Sequence, residues 1–194
     1  KELQIRDGLH IFGRSPPKKQ LNNLLLSISK IPRGNGLAEN QSILEAISKD
    51  LKLNFDPNNC ELSEKYNGLK KKFLLNLTKD KWRTNADTIE RLEILSEKII
   101  ERKFIVPDSW VNTTLVAKQM NNQIKSRIKT SGQNELNGIL RALDGKFVTP
   151  GPSGAPTRGK IEVIPTGKNF FSIDMRSLPT KTAWLIGKNS ADLL

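Results

Sequence analysis

The chain has 194 residues, of which 36% are hydrophobic and 27% charged, and its formal net charge is +12. That length allows one ordinary domain or two small ones, and the composition is that of a soluble globular chain rather than a disordered one. No apolar run approaches the roughly 20 residues that a membrane-spanning helix needs, and a single cysteine, Cys60, excludes an internal disulfide and suits a reducing, cytoplasmic setting.

Lys1-Glu2-Leu3-Gln4 lacks an initiator Met and a signal-peptide layout, so a segment cut from a longer protein is expected. Ile5-Arg6-Asp7-Gly8-Leu9-His10-Ile11-Phe12-Gly13 is a short apolar stretch bounded by glycines and reads as a buried strand or turn; His10 is the only histidine. Pro16-Pro17 starts a helix with Pro17 near its first position. Leu21, Leu24, Leu25, Ile28 and Ile31 give that helix one apolar stripe, and Pro32-Arg33-Gly34-Asn35-Gly36 stops it. Asn40 or Ser42 can cap a second helix, whose face is Ile43, Leu44, Ile47 and Leu51. Residues 54–64 read as a loop and 63–81 as a weakly patterned helix.

A clearer helix is predicted over 85–103, with Ile89, Leu92, Leu95, Ile99 and Ile100 at helical spacing and Asn85 or Asp87 as its cap. After Pro107-Asp108 another runs over 111–129, carrying Leu115, Val116, Met120, Ile124 and Ile128. Ser131-Gly132 is expected to separate it from a short helix bearing Leu136, Ile139, Leu140 and Leu143, closed by Gly145. The period then changes. Phe147-Val148, 161–164 and 170–173 read as short strands, and Pro179-Thr180 opens a last helix with Ala183, Trp184 and Ile186. The predicted fold is mixed α/β and predominantly α-helical, with a few short strands around a Gly/Pro-rich loop near the C-terminus. Residues 1–145 form a helical scaffold and 146–194 the motif-rich part.

An excess of lysine and arginine suits a nucleic acid, an anionic membrane surface or an anionic small ligand. The lysines are scattered, however (Lys18-Lys19, Lys70-Lys71-Lys72, Lys79, Lys81), and few alternate with aromatic residues as a single-strand groove requires. A solvated lysine-rich surface is the plainer reading, with an anionic ligand next.

The Gly/Pro-rich run is Gly151-Pro152-Ser153-Gly154-Ala155-Pro156-Thr157-Arg158-Gly159, followed by Pro165-Thr166-Gly167-Lys168-Asn169-Phe170-Phe171-Ser172-Ile173-Asp174. Neither helix nor regular strand is expected to run through the first part. Gly154 to Lys160 fits half of a phosphate-binding P-loop. Ile161 stands where a magnesium-binding hydroxyl is required, and Pro156 removes an N–H that would cradle phosphate, so ATP binding here is rejected. Exposed backbone N–H groups with Ser153, Thr157 and Arg158 suit carboxylates instead, Arg158 by bidentate pairing, and Lys168 and Arg176 can widen the positive lining. A rigid structural crossover, with its Arg paired internally, is an equal reading. His10 can accept a proton or touch a metal, or can be a core histidine bonded to a carbonyl. One His and one Cys supply no zinc-type ligand set, no elbow motif supports Ser-His-Asp catalysis, and Trp82, Trp110 and Trp184 read as core or interface anchors.

These two runs, followed by Arg176, Pro179-Thr180 and Ala183-Trp184, resemble the CobN/magnesium-chelatase H-subunit family. So do the opening segment 5–13 and the stretch 136–145 ending Leu140-Arg141-Ala142-Leu143-Asp144-Gly145, and the resemblance covers essentially the whole chain. Ser153, Ala155 and Asn169-Phe170-Phe171-Ser172 are similar to the cobalt branch; the magnesium branch typically has Gly and Asp at the positions of Ser153 and Ala155. The resemblance implies a tetrapyrrole-binding large subunit of an ATP-dependent ligase that forms nitrogen–metal bonds. It would insert Co(II), as substrate, into hydrogenobyrinic acid a,c-diamide in cobalamin biosynthesis. It implies two partners, an AAA+ ATPase subunit carrying the ATP and Mg, and a subunit with an integrin-like metal-binding domain. Neither nucleic acid nor membrane is an expected partner.

Such a site needs a dry pocket, a proton acceptor and anchors for carboxylates. His10 is the candidate proton acceptor or cobalt contact. Arg158, Arg176 and Lys168 are the candidate anchors, with Ser153, Thr157 and Asn169 as further substrate-binding candidates. Subunits of the family are several times longer, so activity of this stretch alone is not expected. The alternatives are a magnesium-branch subunit acting on protoporphyrin IX and, on charge alone, a basic helical nucleic-acid-binding module.

Overall fold

Proline sets the first helix, as the sequence predicts. In the computed structural model, which describes residues 11–33, 40–171 and 181–192, Pro17 is the N-cap of α1, Lys18–Ser29, which buries Leu21, Leu25 and Ile28. His10 and Arg176 lie outside the described residues, as do most of the opening segment and the predicted strand residues 172 and 173.

The second cap falls on Ser42 rather than Asn40. Its hydroxyl accepts the Glu45 N–H at 3.1 Å and starts α2, Ile43–Leu51. The 54–64 stretch is loop as predicted, but the helix predicted over 63–81 shrinks to one turn, α3, Lys72–Leu75. The backbone there is committed elsewhere. Tyr66 N–H bonds Arg83 O, Asn85 N–H bonds Glu64 O, and Lys65 forms an antiparallel bridge with Thr84. Donors used in that pairing cannot build an i to i−4 ladder.

Helix α4, Asn85–Ile100, is capped one residue earlier than predicted, by Thr84 in a capping box with Asp87. Asp87 accepts the N–H groups of Thr84 at 2.8 Å and Arg83 at 2.6 Å. Those two bonds, Thr84's first, hold its carboxyl below the ordinary carboxylate range. The helix ends at Ile100, short of the predicted limit, because Arg102 turns left-handed at φ 61°.

After Trp110 the chain runs without a break through α5, Val111–Lys118, a π-helical turn, Gln119–Ile124, and α6, Lys125–Leu143. Trp110 has no side-chain cap to give. Asp50, from α2, takes the backbone N–H of Thr113 at 2.7 Å and the Asn112 amide at 2.8 Å instead. The predicted break at Ser131-Gly132 is absent. Gly132 lies inside α6 because the backbone of Gly13 and Arg14 crosses it, where an added Cβ would approach to 2.9 Å. The helix closes at Gly145, φ 67°: Gly145 N–H bonds Ala142 O and Lys146 N–H bonds Arg141 O, a Schellman ending.

The core fills the space between these helices. Leu25, Ile28, Ile47, Leu92, Leu95, Met120 and Ile124 are all buried in one cluster, to which Ile164 of the C-terminal part also belongs. Each such side chain contributes about 1.5–3 kcal/mol by leaving water. Helix α2 packs on both α5 and α4, and α1 lies against α4, the π turn and α6. Of the three tryptophans, Trp82 stacks on Tyr66 and Trp110 packs beside Phe73 and Phe104, whereas Trp184 is exposed.

Beyond Gly145 the strands differ from those predicted. Pro150–Pro152 forms β1 in place of 147–148, and 161–164 becomes a 3₁₀ turn, Ile161–Val163, leading to buried Ile164. Asn169–Phe171 forms β2, parallel to β1, with Gly151 opposite Phe170. The Gly/Pro-rich run therefore does contribute two residues to a strand. A two-stranded sheet has only edge strands, and an edge tolerates proline. The last helix, α7, Lys181–Ala191, exposes Trp184, Leu185 and Ile186.

Candidate functional site

One face of α6 organises what lies above it. Ser131, Gly132, Glu135 and Gly138 recur at helical spacing, and two chain segments far apart in sequence lie on them. Segment 11–15 crosses Gly132, with Gly13 N–H donating to Glu135 Oε2 at 2.8 Å and Ser15 Oγ donating to Lys129 O at 2.6 Å. The Pro165-Thr166-Gly167-Lys168 turn docks beside it. Thr166 Oγ1 donates to Glu135 Oε1 at 2.6 Å, and Thr166 N–H donates to Ser131 Oγ at 3.1 Å. Gly167, at φ 89°, lies against the backbone of Asn134 and Glu135, and a Cβ on Gly138 would meet Gly167 O at 2.5 Å.

Fixed at this point, the turn faces the Gly/Pro-rich run across an open cleft of about 330 Å³. Ser153, Gly154 and Pro156 line one side; Thr166, Lys168 and Phe170 line the other. Two glycines of the loop are crossed by lysine stems. A Cβ on Gly151 would fall 2.5 Å from Lys168 Cδ, and one on Gly154 would fall 2.6 Å from Lys160 Cδ. The cleft thus has a partly apolar lining, with Phe170 presented to solvent, and the exposed Lys168 belongs to it. Such a surface can hold a large flat apolar body and meet acidic groups on its periphery. Among the described residues no group of three or more His, Cys, Asp or Glu gathers to hold a metal ion.

The predicted residues divide. Ser153 and Lys168 line the cleft. Thr157 and Arg158 lie on a 3₁₀ turn, Pro156–Arg158, that packs on α1; both are exposed and neither lines the cleft. Asn169 is exposed on β2, beside the cleft rather than in its lining. The P-loop-like spelling is not built as one, since another 3₁₀ turn follows Lys160 rather than a helix.

Sequence reasoning did not identify Glu135, Ser131, Thr166, Lys160 or Phe170. A signal was present. Two glycines inside one helix, Gly132 and Gly138, cost helix stability and imply that backbone approaches there.

The class of protein that builds this arrangement is shown by relatives that are themselves subunits of metal chelatases. The CobN/Magnesium Chelatase family model matches residues 1–194, and the chain belongs to that family. It is 42% identical over 212 residues to the aerobic cobaltochelatase subunit CobN of Sinorhizobium, covering 100% of this chain and 17% of that protein. The subunit of the same name from Pseudomonas aeruginosa is 44% identical over 197 residues, again covering 100% of this chain and 16% of the relative. Among solved structures, the catalytic subunit of cobaltochelatase from Mycobacterium tuberculosis superposes with a TM-score of 0.59 at 25% identity, over 96% of this chain and 14% of that one. The chain therefore spans about a sixth of the length of the relatives it matches.

Proposed function

We propose that this chain supplies part of the tetrapyrrole site of a cobaltochelatase large subunit, acting on hydrogenobyrinic acid a,c-diamide. The observation that carries this reading is the cleft. The two stretches most like the cobalt branch of the family meet across it, and Lys168 belongs to its lining. Full-length coverage by cobaltochelatase subunits supports cobalt over magnesium, as do Ser153 and Ala155 at the positions that distinguish the branches.

In this reading Co(II) is a substrate that replaces two protons on the macrocycle nitrogens. The apolar part of the lining excludes water from the ring face, and Lys168 meets a peripheral carboxylate. Arg158 and Thr157, on the turn next to the cleft-lining loop, and Arg176 reach the ligand's periphery, Ser153 and Asn169 add hydrogen bonds, and His10 takes the two protons one after the other, passing the first to solvent before it accepts the second. ATP and Mg belong to an AAA+ partner subunit, with an integrin-domain subunit completing the complex. The scattered lysines, few of which alternate with aromatic residues, speak against the nucleic-acid reading.

Lys168→Ala in the complete subunit is expected to weaken binding of hydrogenobyrinic acid a,c-diamide about tenfold at low ionic strength, and less as salt rises. Pigment absorbance titrations at two salt concentrations read this directly. Unchanged affinity at both would remove Lys168 as an anchor.

A further inference from the structure

We propose that Glu135 is a positioning residue that ties segment 11–15 and the 165–168 turn to the same helix, and so sets where Lys168 stands in the lining of the cleft. Its side chain is buried, with 5% of the residue exposed, and it lies on α6 beneath the cleft rather than in its lining. Its two oxygens serve two segments. Oε2 takes the N–H of Gly13, 122 residues earlier, and Oε1 takes the hydroxyl of Thr166, 31 residues later.

A carboxylate suits this place for a specific reason. It offers acceptors on both oxygens and no donor, so both arms are satisfied at once, and its charge strengthens each bond. Glutamine of the same shape has one acceptor oxygen and turns an NH₂ toward a donor. The surrounding residues are shaped for the same contact. Gly132 lets the Gly13–Arg14 backbone lie on the helix, Gly138 leaves room for Gly167 O, and Ser131 takes the Thr166 N–H. Thr166 is two residues from Lys168 and itself lines the cleft, so displacing its hydroxyl moves the lining that bears the ammonium group.

The consequence for ligand binding rests on the tetrapyrrole reading; the positioning itself does not. The test pairs two measurements on the complete subunit. In Glu135→Gln, hydrogen exchange at the Gly13 and Thr166 amides is expected to rise about tenfold, with α4 unchanged. Affinity for hydrogenobyrinic acid a,c-diamide is expected to fall about tenfold with it. Thr166→Val should reproduce the affinity loss and Thr166→Ser recover most of it. The Glu135→Gln/Thr166→Val double variant should bind no more weakly than Glu135→Gln alone, because both changes break one contact.

Unaltered exchange at both amides in Glu135→Gln would overturn the proposal. So would faster exchange with pigment affinity intact in a protein that binds the pigment, since Glu135 would then hold the fold without setting the site. If the unsubstituted protein binds no tetrapyrrole, the functional reading falls, and the exchange comparison alone decides whether Glu135 positions the turn.

Discussion

Gly167→Ala is expected to lower affinity for the corrin precursor about a hundredfold while leaving the thermal midpoint of the helical core nearly unchanged. Gly167 stands at φ 89°, where a side chain is strained, and its added Cβ would fall on the backbone of Asn134 and Glu135. A flexible side chain can move aside, but helix backbone cannot, so the turn must lift. Lifting breaks the Thr166–Glu135 and Thr166–Ser131 bonds together and carries Lys168 away from Gly151. The core survives because its helices pack on one another, and Ile164, ahead of the turn, stays in their cluster. Gly138→Ala attacks the same contact from the other side, where its Cβ would meet Gly167 O, and is expected to behave alike. Gly187→Ala, in α7 with nothing within 4 Å of its Cβ, is the control and should be neutral or slightly stabilising. Pigment titration and a thermal melt on the three variants check this, and wild-type affinity in Gly167→Ala would contradict it.

The largest loss of stability is expected from Arg91→Ala, at about 3 kcal/mol. Arg91 is fully buried in α4. Its guanidinium donates to the carbonyls of Asp87 and Asp80 and lies 5.1 Å from the centre of the Trp82 ring. Trp82 in turn stacks on Tyr66 and donates to Thr88 Oγ1 at 2.8 Å. Truncation removes the guanidinium's bonds to the Asp87 and Asp80 carbonyls and leaves a void beside the indole. Arg91→Met keeps most of the packing and should cost about half as much. Urea unfolding of the two variants measures both, and a loss below about 1 kcal/mol in Arg91→Ala would show that the guanidinium is replaceable.

What the sequence made legible follows from where the physics is local. The helices α1, α2 and α4 were readable because each carries an apolar stripe and a nearby cap or proline, features that act within one or two turns. The 63–81 stretch differs from its predicted helix because Tyr66 N–H donates to Arg83 O and Glu64 O accepts from Asn85 N–H, a pairing that no short window contains. Ser131-Gly132 was read as a break because glycine usually disfavours a helix. Its cause lies more than a hundred residues earlier, in the Gly13–Arg14 backbone that crosses it. The cleft shows the same division. That Ser153 and Lys168 belong to one loop region is legible because the Gly/Pro-rich spelling is local, whereas a lone glutamate in a polar helix carries no mark of contacts with Gly13 and Thr166. Arg158 is a candidate anchor on its chemistry alone, and the fold sets it on a turn against α1, outside the cleft lining.

The claim that this chain carries part of a corrin-precursor site is tested most directly by titrating the complete subunit with hydrogenobyrinic acid a,c-diamide and, separately, protoporphyrin IX. Tryptophan fluorescence and pigment absorbance report binding. A dissociation constant in the micromolar range, about −8 kcal/mol, is expected for the first, and binding at least about tenfold weaker for the second. Binding of neither pigment, or preference for protoporphyrin IX, would contradict it.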